Sequence, residues 1–547
     1  MAASVGRHLS ARLKRAQEPI ALGAVGATLI VAALLPFVFL VVNLVRAPAE
    51  VSAGLALLGS REPWFVFLRS VASALVVALA SVLIGVPLGL LLGSTDVRGR
   101  KAALVLHAFP MFLPPFLLAL GWFYLFGRSG LWGGSERTSD ALFSLGGSVA
   151  VEALAFAPVV TSLVALALQG IDPSLVEAAR VAARPGHVAT RILLPLAWPA
   201  AALGALVVFA LSLSELGVPM FLRVRSYTAA VFARLGAVQY APGEALVLTL
   251  PMLLISVALL VLERRLIGPR SFSVLGLRSE EKTVLPLGKW RPLATIIAWA
   301  GALATLLPFV GLTWRARTGF AALRDWIGTG PQNSIVPAAI AATLLTGIAV
   351  VVGRAIALRR PGGTALDALT VLAFVTPAAV LGVGLIGVWN RPATQPIYGT
   401  LAIIVIGFVA RYAVLPTRTF ALAVARASPH LEESAAVEGA WFLRRLVRII
   451  IPLHARAIVA AWLLAFVFCL RYLETTILFY PAGSAPLTVR IITLEANGPE
   501  PVVAALALVH ASIVAAAHCP RPGRARSRRR PARQRSSQRR RPDSQAA

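Results

Sequence analysis

Residues 433–452 read Glu-Ser-Ala-Ala-Val-Glu-Gly-Ala-Trp-Phe-Leu-Arg-Arg-Leu-Val-Arg-Ile-Ile-Ile-Pro, a short polar stretch between two long apolar runs. A related stretch lies about 256 positions earlier, where it begins Glu177-Ala178-Ala179 and ends Leu194-Pro195. Both stretches are rich in arginine. A largely apolar chain that keeps two matched polar stretches is expected to use both for the same task, so the pair indicates an internal duplication.

The composition of the chain is that of a membrane protein. Of its 547 residues, 58% are hydrophobic and only 14% are charged, whereas a soluble domain has about 25% charged residues. The apolar runs are continuous and long enough for helices, since about 20 residues cross the hydrocarbon core. A β-barrel would instead need strands of alternating polarity. The sequence therefore predicts an all-α, polytopic membrane fold, in which every backbone group finds its partner within a helix.

We predict about twelve membrane-spanning helices from the apolar runs. They lie at approximately 20–42, 68–93, 102–126, 143–168, 195–222, 244–262, 292–313, 334–357, 365–389, 399–424, 453–480 and 501–518.

The spans are predicted to form two six-helix halves, each with one polar loop. A charged cytoplasmic linker separates the halves, and an arginine-rich stretch with Pro, Ser and Gln, typical of a disordered tail, follows the last span. The predicted bounds are 1–263 for the first half with its loop at about 170–195, 264–291 for the linker, 292–518 for the second half with its loop at about 427–452, and 519–547 for the basic tail.

The formal net charge of +29 does not indicate a nucleic-acid-binding face. The arginines fall in short clusters between apolar runs, which is the positive-inside pattern that sets membrane topology. The first apolar run is longer than the core of a signal peptide, so we expect an uncleaved first helix. An even number of spans then places both termini in the cytoplasm.

The two halves repeat one another beyond the polar loops. Pro195 is followed by Phe209 and Ser214 at the offsets at which Pro452 is followed by Phe466 and Arg471. Pro114 and Pro377 also match, since each leads into a glycine-containing apolar run and a tryptophan, Trp122 and Trp389, although the spacings differ. Parallel repeats fused in one chain are typical of transporters.

The polar loops carry a recognisable motif. Residues 433–452 resemble the EAA loop of ATP-binding-cassette importer permeases, with Glu433, Ala435, Gly439 at the seventh position and Pro452 at the twentieth; Ser434 and Ile451 replace the usual Ala and Leu. The first loop keeps Glu177, Ala178, Ala179 and Pro195, but it is one residue shorter and lacks the expected glycine, with Gly186 nearby and off register.

The residue types of the motif have physical reasons. Small alanines allow close approach to a partner, and glycine allows a sharp turn with positive φ between two helices. A proline is suited to the first turn of the following span.

The resemblance covers roughly residues 60–262 and 330–515 and extends to the fused, double-length permeases of the ferric-iron type. It implies a multi-pass protein of the cell inner membrane that imports a solute. The implied partners are ATP-binding-cassette ATPase subunits, expected as a homodimer, and a periplasmic solute-binding protein, beside the lipid bilayer itself. Glu177 and Glu433 are then expected to contact the ATPase, which uses the ATP, and this chain binds no cofactor.

Ionisable residues within predicted spans are costly and suggest a transport pathway. Glu215 and Arg471 occupy nearly equivalent places after their loop prolines and are expected to face each other across the repeat interface. The other candidates for the pathway are Glu152, Asn390, Arg411, Tyr472 and Glu474.

No catalytic or metal site is predicted. The chain has no phosphate-binding loop of the Gly-x-x-x-x-Gly-Lys-Ser/Thr type, its seven histidines are scattered, and two cysteines do not make a standard zinc site. Three alternatives stay open: a permease of the same class for thiamine, phosphonate or another small solute; a secondary transporter driven by an ion gradient; and a membrane-embedded enzyme or scaffold, for which no polar catalytic cluster is visible.

Overall fold

The computed structural model describes residues 17–46, 48–235, 241–266, 284–427 and 430–518. These residues are mostly helical and contain no β-strand; one isolated bridge joins Thr95 to Leu285. Seven helices are long and apolar enough to cross a membrane, and up to twelve spans result if each bent pair is one span. The predicted all-α polytopic fold is confirmed. The predicted tail at 519–547 and most of the predicted linker lie outside the described residues.

The helices of eight or more residues are labelled here in chain order. Those before the predicted linker are α1 Gln17–Arg46, α2 Pro48–Leu58, α3 Arg61–Ser94, α4 Arg100–Ala108, α5 Pro115–Phe126, α6 Leu145–Gln169, α7 Pro173–Ala182, α8 Pro185–Ser214, α9 Tyr227–Leu235 and α10 Pro242–Leu266. Those after it are α11 Arg291–Ala304, α12 Leu307–Ala316, α13 Gly330–Ala357, α14 Gly363–Val375, α15 Ala378–Trp389, α16 Ala402–Tyr412, α17 Val414–Arg426, α18 His430–Val437, α19 Ala455–Arg471, α20 Leu487–Asn497 and α21 Glu500–His518.

Five of the predicted spans are not continuous helices, which corrects the prediction from the apolar runs. Two of them bend sharply before a proline, by 103° before α5 and by 107° before α15. The residues before these prolines, Leu113 and Thr376, have extended backbones, with ψ of 153° and 131°. Proline disfavours the helical conformation of the residue that precedes it, so Pro114 and Pro377 end their helices at matched places. The five broken spans are those predicted at 102–126, 292–313, 365–389, 399–424 and 453–480.

The first described span of each predicted half packs against the other half. α1 lies on α15 so closely that a Cβ on Gly384 would come within 2.8 Å of the Pro36 side chain. In the second half the first span is the bent pair α11 and α12. Its α12 lies on α5, where a Cβ on Gly121 would collide with the Pro308 carbonyl oxygen. Glycine at these two contacts lets the helix backbones approach each other closely. The two halves therefore exchange their first spans.

The contact between α3 and α6 depends on three glycines at every fourth position. A Cβ placed on Gly85, Gly89 or Gly93 would lie within 2.7–2.8 Å of atoms of α6. Because residues four apart share one face of a helix, the glycines form a groove along α3 into which α6 fits.

Replacing Gly89 with leucine is expected to lower the stability of the protein by about 3 kcal/mol, because the new side chain collides with Val164 and the backbone of α6. The midpoint of thermal unfolding of the purified protein in detergent measures the effect. Gly347→Leu is the matched control, because a Cβ on this helical glycine meets no atom within 4 Å. Equal shifts for the two variants would contradict the close contact.

Candidate functional site

The first polar segment, residues 172–195, begins with α7. The Asp172 carboxylate accepts a hydrogen bond from the Ser174 backbone N–H at 2.9 Å, which caps the helix and lowers the pKa of Asp172. Val176 points inward, is 1% exposed and packs in an apolar cluster with Val188 and other aliphatic side chains. Glu177 and Ala178 are exposed, and Ala179 is half-buried. The helix thus has one anchored face and one free face.

The second polar segment, residues 430–452, begins with α18. Glu433 is exposed and Ala435 is half-buried. Gly439 has φ of +80°, as the motif predicts, and its N–H bonds to the Ala436 carbonyl at 3.0 Å. The N–H of Ala440 bonds to the Ala435 carbonyl at 2.9 Å. This left-handed glycine ends the helix and satisfies its last carbonyl groups.

The exposed faces of the two segments match position by position. Val181 follows Glu177 by four residues and is 92% exposed; Val437 follows Glu433 by four residues and is 88% exposed. Residues four apart lie side by side on a helix, so each segment presents a carboxylate next to a bare aliphatic side chain. Such a repeated surface is suited to a partner protein that binds twice.

The turn after α7 differs from the turn after α18. Ala183 and Arg184 take extended conformations, with ψ of 154° and 150°, and Pro185 begins the next helix. Gly186 lies inside α8 and is not among the glycines with positive φ. The first segment therefore replaces the glycine turn with a shorter extended turn, and Gly186 is not its equivalent.

Pro195 and Pro452 lie inside helices and do not begin them, contrary to the sequence prediction. α8 runs from Pro185 to Ser214, and the helix that contains Pro452 runs from Phe442 to Leu453. One turn of π-helix lies immediately before the two residues that end each motif. It spans Ala189–Leu193 in the first segment and Leu446–Ile450 in the second. Proline has no N–H and its ring clashes with the carbonyl four residues earlier. The wider turn at both sites accommodates this proline.

A small polar cavity lies beside the end of α8. It has a volume of about 30 Å³, enough for a water molecule or a small ion. Glu152 is 5% exposed and accepts hydrogen bonds from Ser212 at 2.5 Å and Ser148 at 3.4 Å. Glu215 is 3% exposed, and its Oε1 accepts from the backbone N–H of Gly217 at 3.0 Å. Other side chains with hydroxyl groups along the wall are Ser70, Ser73, Ser226 and Thr228.

The two candidate arginines bind the carbonyl groups that the proline breaks leave free. Arg411 donates to the carbonyls of Ala373, at 3.2 Å, and of Thr376, just before Pro377. Arg471 donates to the carbonyl of Met111 at 2.5 Å, three residues before Pro114. A cation at the carboxyl end of a helix is stabilising, because the last carbonyl groups have no partner in the helix.

No salt bridge joins Glu215 to Arg471 in the described part of the chain, although the two charges lie close enough to interact electrostatically. Their position facing each other across the repeat interface stays a prediction. The Arg471 guanidinium lies 5.4 Å from the centre of the Phe156 ring. Arg411 donates a hydrogen bond to the Ser214 hydroxyl at 3.1 Å, which joins the two predicted halves.

Most of the remaining candidates lie near these charges. Tyr472 packs on Tyr412, its hydroxyl accepts from Thr475, and its ring lies 6.0 Å from the Arg411 guanidinium. Glu474 is half-buried and lies close enough to Glu215 to interact with it electrostatically. Asn390 lies apart from them, in a separate cavity with Asn43 and Arg391.

Two ion clusters at helix ends were not anticipated from the sequence. In one, Arg354 binds Glu432 and Glu18. In the other, Arg418 binds Asp367 at 3.1 Å and Glu263 at 2.8 Å, with Arg264 on Asp367 at 2.7 Å. Asp367 and Arg418 both lie within predicted spans. An ionisable residue within a span is the criterion that predicted the pathway candidates, so the same criterion could have identified these two residues.

Comparisons with known proteins agree with this architecture. The family described as "binding-protein-dependent transport system inner membrane component" matches residues 85–270. The predicted resemblance to importer permeases of this class is confirmed over these residues.

The names of similar curated proteins specify different transported solutes. The chain is 26% identical over 410 residues to the putative ferric transport system permease protein FbpB 1 of Haemophilus influenzae, and the alignment covers 68% of this chain and 64% of that protein. It is 34% identical over 155 residues to the molybdenum transport system permease protein ModB of Mycobacterium tuberculosis, covering 27% and 58%. It is 31% identical over 119 residues to the putative 2-aminoethylphosphonate transport system permease protein PhnU of Salmonella typhimurium, covering 20% and 42%.

The alignments leave part of each relative unmatched. The permease spans slightly less than two thirds of the length of the ferric relative. No solved structure matches the chain.

Gly439→Ala is expected to destabilise the turn of the second polar segment by about 1–2 kcal/mol, because a Cβ is unfavourable at φ of +80°. Amide hydrogen exchange should then be roughly fivefold to thirtyfold faster around residue 439. Gly186→Ala is the control and should leave exchange in the first segment unchanged, since a Cβ there meets no atom within 4 Å. Similar changes in both segments would contradict the different turns.

Proposed function

We propose that this permease is the membrane-spanning subunit of an ATP-driven solute importer, and that separate ATPase subunits drive it through the two polar segments. One observation carries the proposal: Glu177 with Val181, and Glu433 with Val437, form the same exposed face at the same register. A carboxylate and an aliphatic side chain suit a groove with a basic rim and an apolar floor. Two equal faces favour two copies of one ATPase, a homodimer.

The proposed orientation places both polar segments and both termini in the cytoplasm. The arginine clusters of the sequence support it, because cytoplasmic loops are enriched in positive residues. A periplasmic solute-binding protein then delivers solute to the opposite side. ATP binding brings the ATPases together, the polar segments move with them, and the helices alternate between outward and inward access.

We propose a cationic cargo, with ferric iron as the leading candidate. The two buried carboxylates and the hydroxyl groups of the cavity at Glu152 and Glu215 support it, because hard cations prefer oxygen ligands. Arg225 lies on the same cavity wall, so a phosphonate is a second candidate, and the uptake experiment below distinguishes the two. Thiamine, which carries a positive charge, remains the alternative within the class, and a secondary transporter remains the alternative outside it.

Charge reversal in the polar segments tests the coupling. Glu433→Arg is expected to reduce both copurification of the ATPase subunits and solute uptake by about tenfold, the effect of ~1.4 kcal/mol of lost binding. Glu177→Arg should act in the same direction, and the double variant should be weaker than either. Glu136→Arg, an exposed charge outside both segments, is the control. Full uptake by a double variant that retains no ATPase would support a secondary transporter.

Uptake of labelled ferric iron, thiamine and phosphonate by cells with and without this chain tests the cargo. Glu215→Gln keeps an oxygen acceptor for Gly217 and replaces the second carboxyl oxygen with an amide nitrogen, which is a poorer ligand for a hard cation, so we expect about tenfold less iron uptake, or ~1.4 kcal/mol of lost binding. Glu136→Gln, which changes an exposed carboxylate that pairs with Arg128 outside the cavity wall, is the control. Dependence of phosphonate uptake alone on the chain would contradict the cationic cargo.

A further inference from the structure

A buried ion cluster ties the second polar segment to the rest of the molecule. Arg354, in the last turn of α13, is 2% exposed. Its Nη2 donates to Glu432 at 2.5 Å, its Nε donates to the same carboxylate at 3.1 and 3.3 Å, and its Nη1 donates to Glu18 at 2.7 Å. The guanidinium also lies 5.3 Å from the centre of the Phe442 ring. One buried cation therefore joins α1, α13 and both helices of the second polar segment.

The beginning of α1 makes additional contacts around this cluster. Glu18 lies 4.0 Å from Arg445 of the second polar segment and 3.3 Å from Arg360, which follows α13. The Gln17 side-chain oxygen accepts a hydrogen bond from the Leu443 backbone N–H at 3.4 Å. α1 is thus attached to a polar segment that comes more than 400 residues later.

Within the described residues, the first polar segment forms no such ion cluster. Val176 immediately precedes Glu177, as Glu432 precedes Glu433, so the two inward positions are equivalent. Val176 is held by apolar contacts with Val188 and its neighbours. Apolar contacts have no preferred direction, whereas a guanidinium binds a carboxylate in a fixed planar geometry. The second segment is therefore oriented by directed bonds, and the first is not.

We propose that Arg354 is a positioning residue that makes the second polar segment and α1 move as one body. Displacement of α18 then passes through Glu432, Arg354 and Glu18 into α1. From there it reaches α15, on which α1 packs at Pro36. The transport consequence rests on the proposed function, whereas the physical connection between α1 and α18 does not.

Removal of the guanidinium is the first test. Arg354→Gln, in the full chain with its ATPase subunits in membrane vesicles, is expected to lower solute uptake by about tenfold or more, because Glu18 and Glu432 are left without their shared partner. Arg359→Gln is the matched control: this exposed arginine lies just past the same end of α13 and forms no salt bridge within the described part of the chain, so uptake should be nearly unchanged. Normal uptake by Arg354→Gln would overturn the proposal.

A cleavable crosslink between positions 18 and 432 distinguishes a positioning role of Arg354 from a role in the stability of the protein. The variant combines Arg354→Gln with E18C and E432C, and serine replaces Cys469 and Cys519. A bismaleimide that contains a disulfide should crosslink the two new thiols. The link should restore uptake, and a reductant should abolish it again. A link that forms without restoring uptake, in a complex that still holds its ATPase, would overturn the proposal. Loss of ATPase binding with the link intact would instead count against the proposed function.

Discussion

In a lipid bilayer, every backbone polar group without a helical partner must find one inside the protein. The breaks before Pro114 and Pro377 create such groups at two matched places, and Arg471 and Arg411 supply the partners. Each arginine belongs to a different helix from the carbonyl groups that it binds. These hydrogen bonds therefore join separate helices in the interior of the protein. The ionisable residues that first suggest a pathway thus have a structural task, while the carboxylates of Glu152 and Glu215 retain free space beside them.

The two polar segments have the same residue types at the same register on their exposed faces, but different anchoring contacts on their inner faces. Glu177 and Glu433 lie at the same register, yet one helix is anchored by Val176 and the other by Glu432. One segment turns through extended residues, and the other turns through Gly439. The proposed partner would touch only the outer faces. The supporting contacts beneath them are then free to differ, as the turns at Ala183 and Gly439 do.

The sequence predicts the helical class, the repeat and the exposure of both motif glutamates, because composition and spacing determine them directly. Pro114 and Pro377 indicate the two helix breaks in the sequence. The apolar runs around these prolines are continuous, however, and therefore predict unbroken spans. It does not reveal the partners of Arg411, since backbone carbonyls are available at every residue and only tertiary packing selects two of them. Glu432 looks like an ordinary surface carboxylate beside Glu433, and its role depends on a helix that begins at residue 17.

The helices that leave the two polar segments differ in shape. α8 passes from Pro185 to Ser214 in one piece of 30 residues, a rod of about 45 Å. The corresponding path in the second half bends by 82° between Leu453 and Ala455. Under the proposed coupling, a displacement of the first polar segment travels along one continuous helix to the cavity at Glu152 and Glu215, whereas a displacement of the second must cross an 82° bend. The same movement of the two segments would then act on the membrane-spanning helices in two different directions.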